Sequence, residues 1–285
     1  MAVSDNNPMV YLVCFYYVYK YKQHIFNLVL IGESKMHKTL LTVDANAKTV
    51  KGQEFGFMTG ILYMAPADIS GRNVCSMAEL AGCKAACLYT AGRGAMNSVQ
   101  AARISKAKFF FSNRQQFMEI LVKDIQALVR KATKKGMIPL VRLNGTSDIK
   151  WENVRFDHGF GNEQITIFDL FPNVQFYDYT KIANRQNLPA NYDLTFSYSG
   201  TLAFQKYVNQ AIESGMRIAA VLRKRADIPA KFLGLDCIDG DNSDIRHIDR
   251  KGVIVALYAK GKAKKDDSGF VIDTPKRLIP LQLAA

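Results

Sequence analysis

Seven short runs of apolar, β-branched and aromatic residues recur along the chain, at 56–64, 138–143, 174–179, 194–198, 217–222, 232–237 and 253–258. Turn residues bound each run, so each reads as a strand. Helical patterns lie between several of them. The stretch 98–111 opens at the capping candidates Asn97 and Ser98. The stretch 114–134 sets Phe117, Ile120, Leu121, Ile125, Leu128 and Val129 on one helical face, and 202–213 forms a third helix. Strands that are almost wholly apolar and alternate with helices are buried on both faces, which points to a parallel sheet. The expected fold is therefore a single α/β domain over residues 36–285. Its expected architecture is an open or closed, partial TIM-like barrel of about six to eight mostly parallel strands.

Each expected strand runs into polar residues at its carboxyl end, where parallel α/β sheets and barrels place their active sites. Val141 leads into Arg142, Asn144, Thr146 and Asp148. The next strands lead to Lys181 and Ser197, and the last two to Asp239 and Asp241 and to Lys260. These nine residues are the expected ligand-binding groups of a polar mouth.

With 48% hydrophobic and 22% charged residues in 285, the chain has the composition of a globular protein with one substantial core. The apolar stretch from Met9 to Ile31 is broken by Lys20, Lys22, Gln23 and His24. It lacks a run of about 20 apolar residues, which argues against a membrane anchor, and no small-residue cleavage site follows it. It reads as a strand hairpin or a surface helix in an N-terminal extension, residues 1–35, with Met36 opening the more conventional globular stretch.

Three of the five cysteines, Cys75, Cys83 and Cys87, crowd into one short segment, while Cys14 and Cys237 lie far away. That is a poor disulfide framework and a natural pattern for metal chemistry in a reducing compartment. Seven residues separate the first pair and three the second. Three soft thiolates can hold three corners of a cubane, giving a 4Fe-4S or 3Fe-4S iron-sulfur cluster, and in the 4Fe-4S form the fourth iron is open to a small-molecule ligand. Ala81, Gly82, Ala85 and Ala86 leave room for such a group, and Lys84 and Arg93 offset its charge. Structural zinc is the nearest competitor, although it prefers four protein ligands and closer spacing. Plain burial of three thiols is the third reading. Cys237 is either a fourth ligand or core.

The segment should follow the first core strand, at the same mouth as the polar residues. That layout is similar in topology to radical S-adenosylmethionine enzymes, which implies S-adenosylmethionine as a ligand of the open iron. The usual spacing there is three and then two residues, and this chain departs from it. A closer resemblance rests on Cys-Lys-Ala-Ala-Cys-Leu-Tyr-Thr-Ala-Gly-Arg-Gly at 83–94, Val-Arg-Leu-Asn-Gly-Thr-Ser-Asp-Ile at 141–149 and Ala-Lys-Gly-Lys-Ala-Lys-Lys-Asp at 259–266. Together with Leu-Thr-Phe-Ser-Tyr-Ser at 194–199 and Ile-Asp-Gly-Asp at 238–241, these motifs resemble the phage and plasmid gene product 88 family over residues 45–271. The resemblance implies a phage-type protein acting in the bacterial host cytoplasm, and no particular reaction.

A turn carrying Arg142, Asn144, Thr146 and Asp148 can grip a polar ligand, or it can satisfy its own backbone. Asp239 and Asp241 can share a divalent ion, but Asp-Gly is also a common hairpin turn. The formal charge of +13, with basic runs at Lys260, Lys262, Lys264 and Lys265 and at Arg223, Lys224 and Arg225, suits a nucleic-acid partner. Tyr177, Tyr179, Tyr192 and Tyr198 can stack bases or fill the core. Two functions follow as expectations: a cluster-dependent enzyme of radical or redox type, and a nucleic-acid-binding accessory protein with a structural cluster or zinc.

Overall fold

The computed structural model describes residues 37–43, 47–159 and 163–273. The chain divides into two compact units, Met1–Lys38 and Thr39–Ala285, and the second holds every element that follows. The expected hairpin or helix over residues 9–31, and Cys14, lie outside the described residues.

In chain order the elements are β1 (Leu41–Val43), α1 (Ala47–Glu54), β2 (Phe57–Leu62), α2 (Asn97–Ser112), α3 (Arg114–Lys134), β3 (Ile138–Arg142), β4 (Phe156–Asp157), β5 (Gln164–Ile165), α4 (Ile167–Leu170), β6 (Gln175–Thr180), β7 (Tyr192–Ser197), α5 (Gln205–Glu213), β8 (Arg217–Leu222), β9 (Lys231–Phe232), β10 (Leu235–Asp239), β11 (Ile254–Tyr258) and β12 (Val271–Ile272). One sheet of ten strands runs β1-β2-β3-β6-β7-β8-β11-β10-β9. Its body from β2 to β10 is parallel, and the two outer strands, β1 and β9, are antiparallel to their neighbours. Its tenth strand, β12, lies off this path and pairs with the end of β8, Val271 opposite Val221.

The expected barrel is corrected by this topology. The strands form an open sheet with β1 at one edge and β9 at the other, and antiparallel additions finish both edges instead of joining them. Nothing in the alternation of strands and helices specifies closure, because an open sheet and a barrel bury the same apolar strands. The expected strand at 232–237 is likewise two strands. Leu233 and Gly234, at φ 52° and 78°, fold it into a hairpin, the positive-φ pair that a tight two-residue turn requires.

One sheet face carries Met58, Leu62, Val141, Phe176 and Leu194, packed under Phe110 of α2 and Phe117, Leu121, Ile125 and Leu128 of α3. Further along, Phe196, Ile218, Ala220 and Ile254 pack with Val208 and Ala211 of α5. Helix α3 starts at the Asn113 cap, whose side chain accepts from the Gln116 N–H. Helix α2 begins at Asn97 without the expected side-chain cap. The opposite face buries Leu140 and Tyr177 under Ile245. It also holds Arg217, fully buried and donating to Asp193 at 2.6 Å and to Thr195 at 3.2 Å.

Candidate metal centre and ligand cavity

The cysteine segment is the connection from β2 to α2, as the sequence predicts. Among its own elements are two short 3-10 turns, Leu88–Thr90 and Gly92–Ala95, and side chains from the other carboxyl-end loops pin it. Thr146 Oγ1 donates to the Met64 carbonyl at 2.6 Å, and the Asp148 N–H to Val74 at 2.8 Å. Ser199 Oγ donates to Ala81 at 2.7 Å and Ser268 Oγ to Gly82 at 3.1 Å. Gly82 has φ 65°, and a Cβ there would stand 2.7 Å from Ser268 Oγ, so glycine alone fits.

Pinned in this way, Cys75, Cys83 and Cys87 line one cavity of about 930 Å³. Cys75 Sγ lies 3.9 Å from the Thr146 carbonyl oxygen, Cys83 Sγ lies 3.7 Å from that of Ala78, and Cys87 Sγ accepts from the Tyr89 N–H at 3.5 Å. Burial pushes the Cys75 thiol up to about 12 and that of Cys87 to about 11, and raises Cys83 as well. The cysteines also act on one another: negative charge at Cys83 disfavours ionisation at both Cys75 and Cys87. Backbone N–H groups of Ala67 and Tyr89 work the other way, as do Lys181 beside Cys83 and Arg103 beside Cys87. Donors and cations of this kind are what metal-bound thiolates need, and metal binding would displace the thiol protons. Among the described residues no group of three or more His, Cys, Asp or Glu side chains stands ready to hold a single metal ion. The shared wall and the mutual electrostatic coupling are what unite the three sulfurs. Cys237, on β10, packs into the α5-side core, away from this wall.

Arg142, Asn144, Thr146, Asp148, Lys181, Ser197, Asp241 and Lys260 all border the same cavity, and Asp239 does not. Several of them serve the fold. Asn144 Oδ1 accepts from Ser147 Oγ at 2.8 Å, the Ile149 N–H at 2.9 Å and Trp151 Nε1 at 3.1 Å, so it organises its own turn. Asp148 accepts from the Lys181 N–H at 2.8 Å, and burial raises its carboxyl. Lys181 Nζ donates to the Tyr198 carbonyl at 2.8 Å, and burial lowers it to about 8. Asp239 is bound to Arg225, and Asp241 to Lys48 and Lys260. The two carboxylates therefore face separate cations rather than one ion. Arg142 donates to Asp244 at 2.5 Å. Arg223 is fixed to Asp273 at 2.5 Å and to the Lys264 and Asp266 carbonyls. Tyr177, Tyr192 and Tyr198 are core residues.

Sequence reasoning missed Tyr63 and singled out neither Arg103 and Lys106, within the basic stretch 97–135, nor Asp244, close after Asp239 and Asp241, as ligand groups; all four also line the cavity. Arg103 and Lys106 sit three residues apart on α2, a spacing that shares a helix face. No polar motif marked them in the sequence. Among the described residues no helix is long and apolar enough to cross a membrane.

No curated protein and no solved structure matches the chain. A family model described as Gene product 88 matches residues 33–274, and the chain belongs to this family of bacteriophage-type gene products.

Proposed function

We propose that Cys75, Cys83 and Cys87 bind an iron-sulfur cluster of 4Fe-4S or 3Fe-4S type at the carboxyl end of the parallel sheet, and that the protein is a cluster-dependent enzyme of the bacterial host cytoplasm. The observation that carries this reading is the convergence of three thiols from one loop on the wall of a single large cavity. A cubane spans thiols that stand farther apart than one tetrahedral zinc ion, with Zn–S bonds of about 2.3 Å, tolerates. Either cluster would supply one-electron chemistry, and the 4Fe-4S form would also supply an iron without a protein ligand. The chain's own residues would do the rest. Lys181 and Arg103 offset thiolate charge, backbone N–H groups of Ala67 and Tyr89 bond to sulfur, and Arg142 and Lys260 present polar groups to a ligand held beside the open iron.

S-adenosylmethionine is the first ligand to test. Protein reconstituted without oxygen and reduced is titrated with it under electron paramagnetic resonance. A shifted cluster signal with cleavage of the cofactor supports the radical version, an unchanged signal leaves a redox enzyme, and a chain that takes up no iron removes both.

The formal charge of +13 favours a second reading, a nucleic-acid-binding accessory protein in which the metal pins the loop. Affinity for single-stranded DNA should then fall steeply as salt rises. No binding at low salt ends this reading.

A further inference from the structure

The cavity wall carries an unbalanced charge. Lys84 is neutralised by Asp68 and Glu79. Apart from it, seven Lys or Arg side chains line the cavity against three carboxylates, those of Asp148, Asp241 and Asp244. Most of these cations have work within the fold: Arg142 bonds to Asp244, Lys260 to Asp241, Lys181 to the Tyr198 carbonyl and Lys106 to the Leu40 carbonyl.

Arg103 differs. Its guanidinium carbon lies 4.7 Å from the centre of the Tyr63 ring and 5.5 Å from that of Tyr89, so the cation packs on two aromatic rings. Its Nε and Nη1 atoms are buried and have no hydrogen-bond partner among the described residues. The groups that act on its charge are Tyr63, Tyr89 and Cys87, with no carboxylate among them. Buried N–H groups left without partners on a part-buried cation are costly. A guanidinium held rigid in one plane with free N–H groups is also the usual match for two oxygens of an oxyanion. Lys106, one helical turn on, adds a second positive charge close to Arg103, although the Asp124 carboxylate also acts on it.

We infer that Arg103 anchors the phosphate of a phosphate-bearing small molecule bound in this cavity, beside Cys87. A dianionic phosphate meets the paired charges of Arg103 and Lys106 better than a single carboxylate does. The volume of about 930 Å³ accepts a molecule of nucleotide size. The inference rests on the cavity being the ligand site of the proposed function, and it does not depend on the metal.

Equilibrium dialysis of the full chain without metal tests it, with adenosine 5′-monophosphate and adenosine as paired probes and inorganic phosphate or acetate as competitor. The monophosphate should bind at least about tenfold tighter than the nucleoside, as one charge-assisted bidentate contact provides, and inorganic phosphate should compete better than acetate. Arg103→Gln should abolish the preference and Arg103→Lys restore part of it, with both variants checked for unchanged thermal unfolding. Equal binding of the two probes, or none, overturns the inference, as does acetate competing equally well or a folded Arg103→Gln chain that keeps the preference. Where Arg103→Gln does not fold, the paired probes on the unchanged chain decide alone. A chain that prefers the monophosphate yet takes up no iron retires the cluster and leaves this site standing.

Discussion

The carboxylate of Asp178 is fully buried in the sheet. It accepts from the Leu143 N–H at 3.1 Å, the Asn144 N–H at 3.0 Å and the Tyr192 hydroxyl at 3.0 Å, and so ties the turn after β3 to β6 and β7. Burial outweighs these bonds and the nearby Arg142, raising its carboxyl to about 6 from 3.8. A folded value above the unfolded one means that the protonated group is favoured in the native state. Its contribution is therefore full below about pH 4 and is lost as pH rises through about 6. The stability of the native sequence relative to Asp178→Asn should fall by about 3 kcal/mol between those limits, measured by urea unfolding at each pH. A difference that stays constant with pH contradicts the assignment. The sequence showed Asp178 only as a polar residue inside an apolar run. Its partners come from two segments distant in sequence, 142–144 and Tyr192, so no local spacing announces them. Asn144 illustrates the same limit: it was legible as a site residue, yet its bonds to Ser147, Ile149 and Trp151 make it the organiser of a turn.

Elements show where sequence patterns carry and where they stop. The strand and helix runs long enough to display a period all formed, and α3 buries the face that its spacing assigns. Strands β1, β4, β5, β9 and β12, of two or three residues each, are too short to display a period. Strand β12 is placed by pairing with the distant β8, and the others by pairing with the neighbouring strand along the chain. The cysteine segment was legible in chemistry and position, but its shape depends on Thr146, Ser199 and Ser268, far away in sequence. Gly82 sits at the tightest of these contacts, at positive φ and against Ser268. Gly82→Ala should cost roughly 1–3 kcal/mol in backbone strain and crowding and should lower the iron retained per chain. Gly71→Ala is the control for the backbone term: it has φ 88° with open space around it. Equal losses in stability and iron for the two variants, measured by thermal unfolding and metal analysis, contradict the pinning of the loop.

At the scale of the molecule, an open parallel sheet gathers the carboxyl-end loops after β2, β3, β6, β10 and β11 around one cavity, and antiparallel edge strands finish its sides. The alternation of strands and helices made the sheet and its working edge legible. Whether it closes was not legible, because closure is decided by how the edge strands β1 and β9 are finished. Charge follows the same architecture: the cations that read as basic runs in sequence are partly spent inside the fold, as Arg223 and Lys260 are, while Arg103, within the basic stretch 97–135, keeps Nε and Nη1 without a hydrogen-bond partner among the described residues. The most direct test of the central claim is the iron and acid-labile sulfide content of protein purified without oxygen, taken with the variants Cys75→Ala, Cys83→Ala, Cys87→Ala and Cys237→Ala. About four sulfide per chain with about four iron for a 4Fe-4S cluster or about three for a 3Fe-4S cluster, lost in each of the first three variants and kept in the fourth, is the predicted result. Folded protein that holds neither element, or that keeps both without Cys75, Cys83 or Cys87, would contradict it.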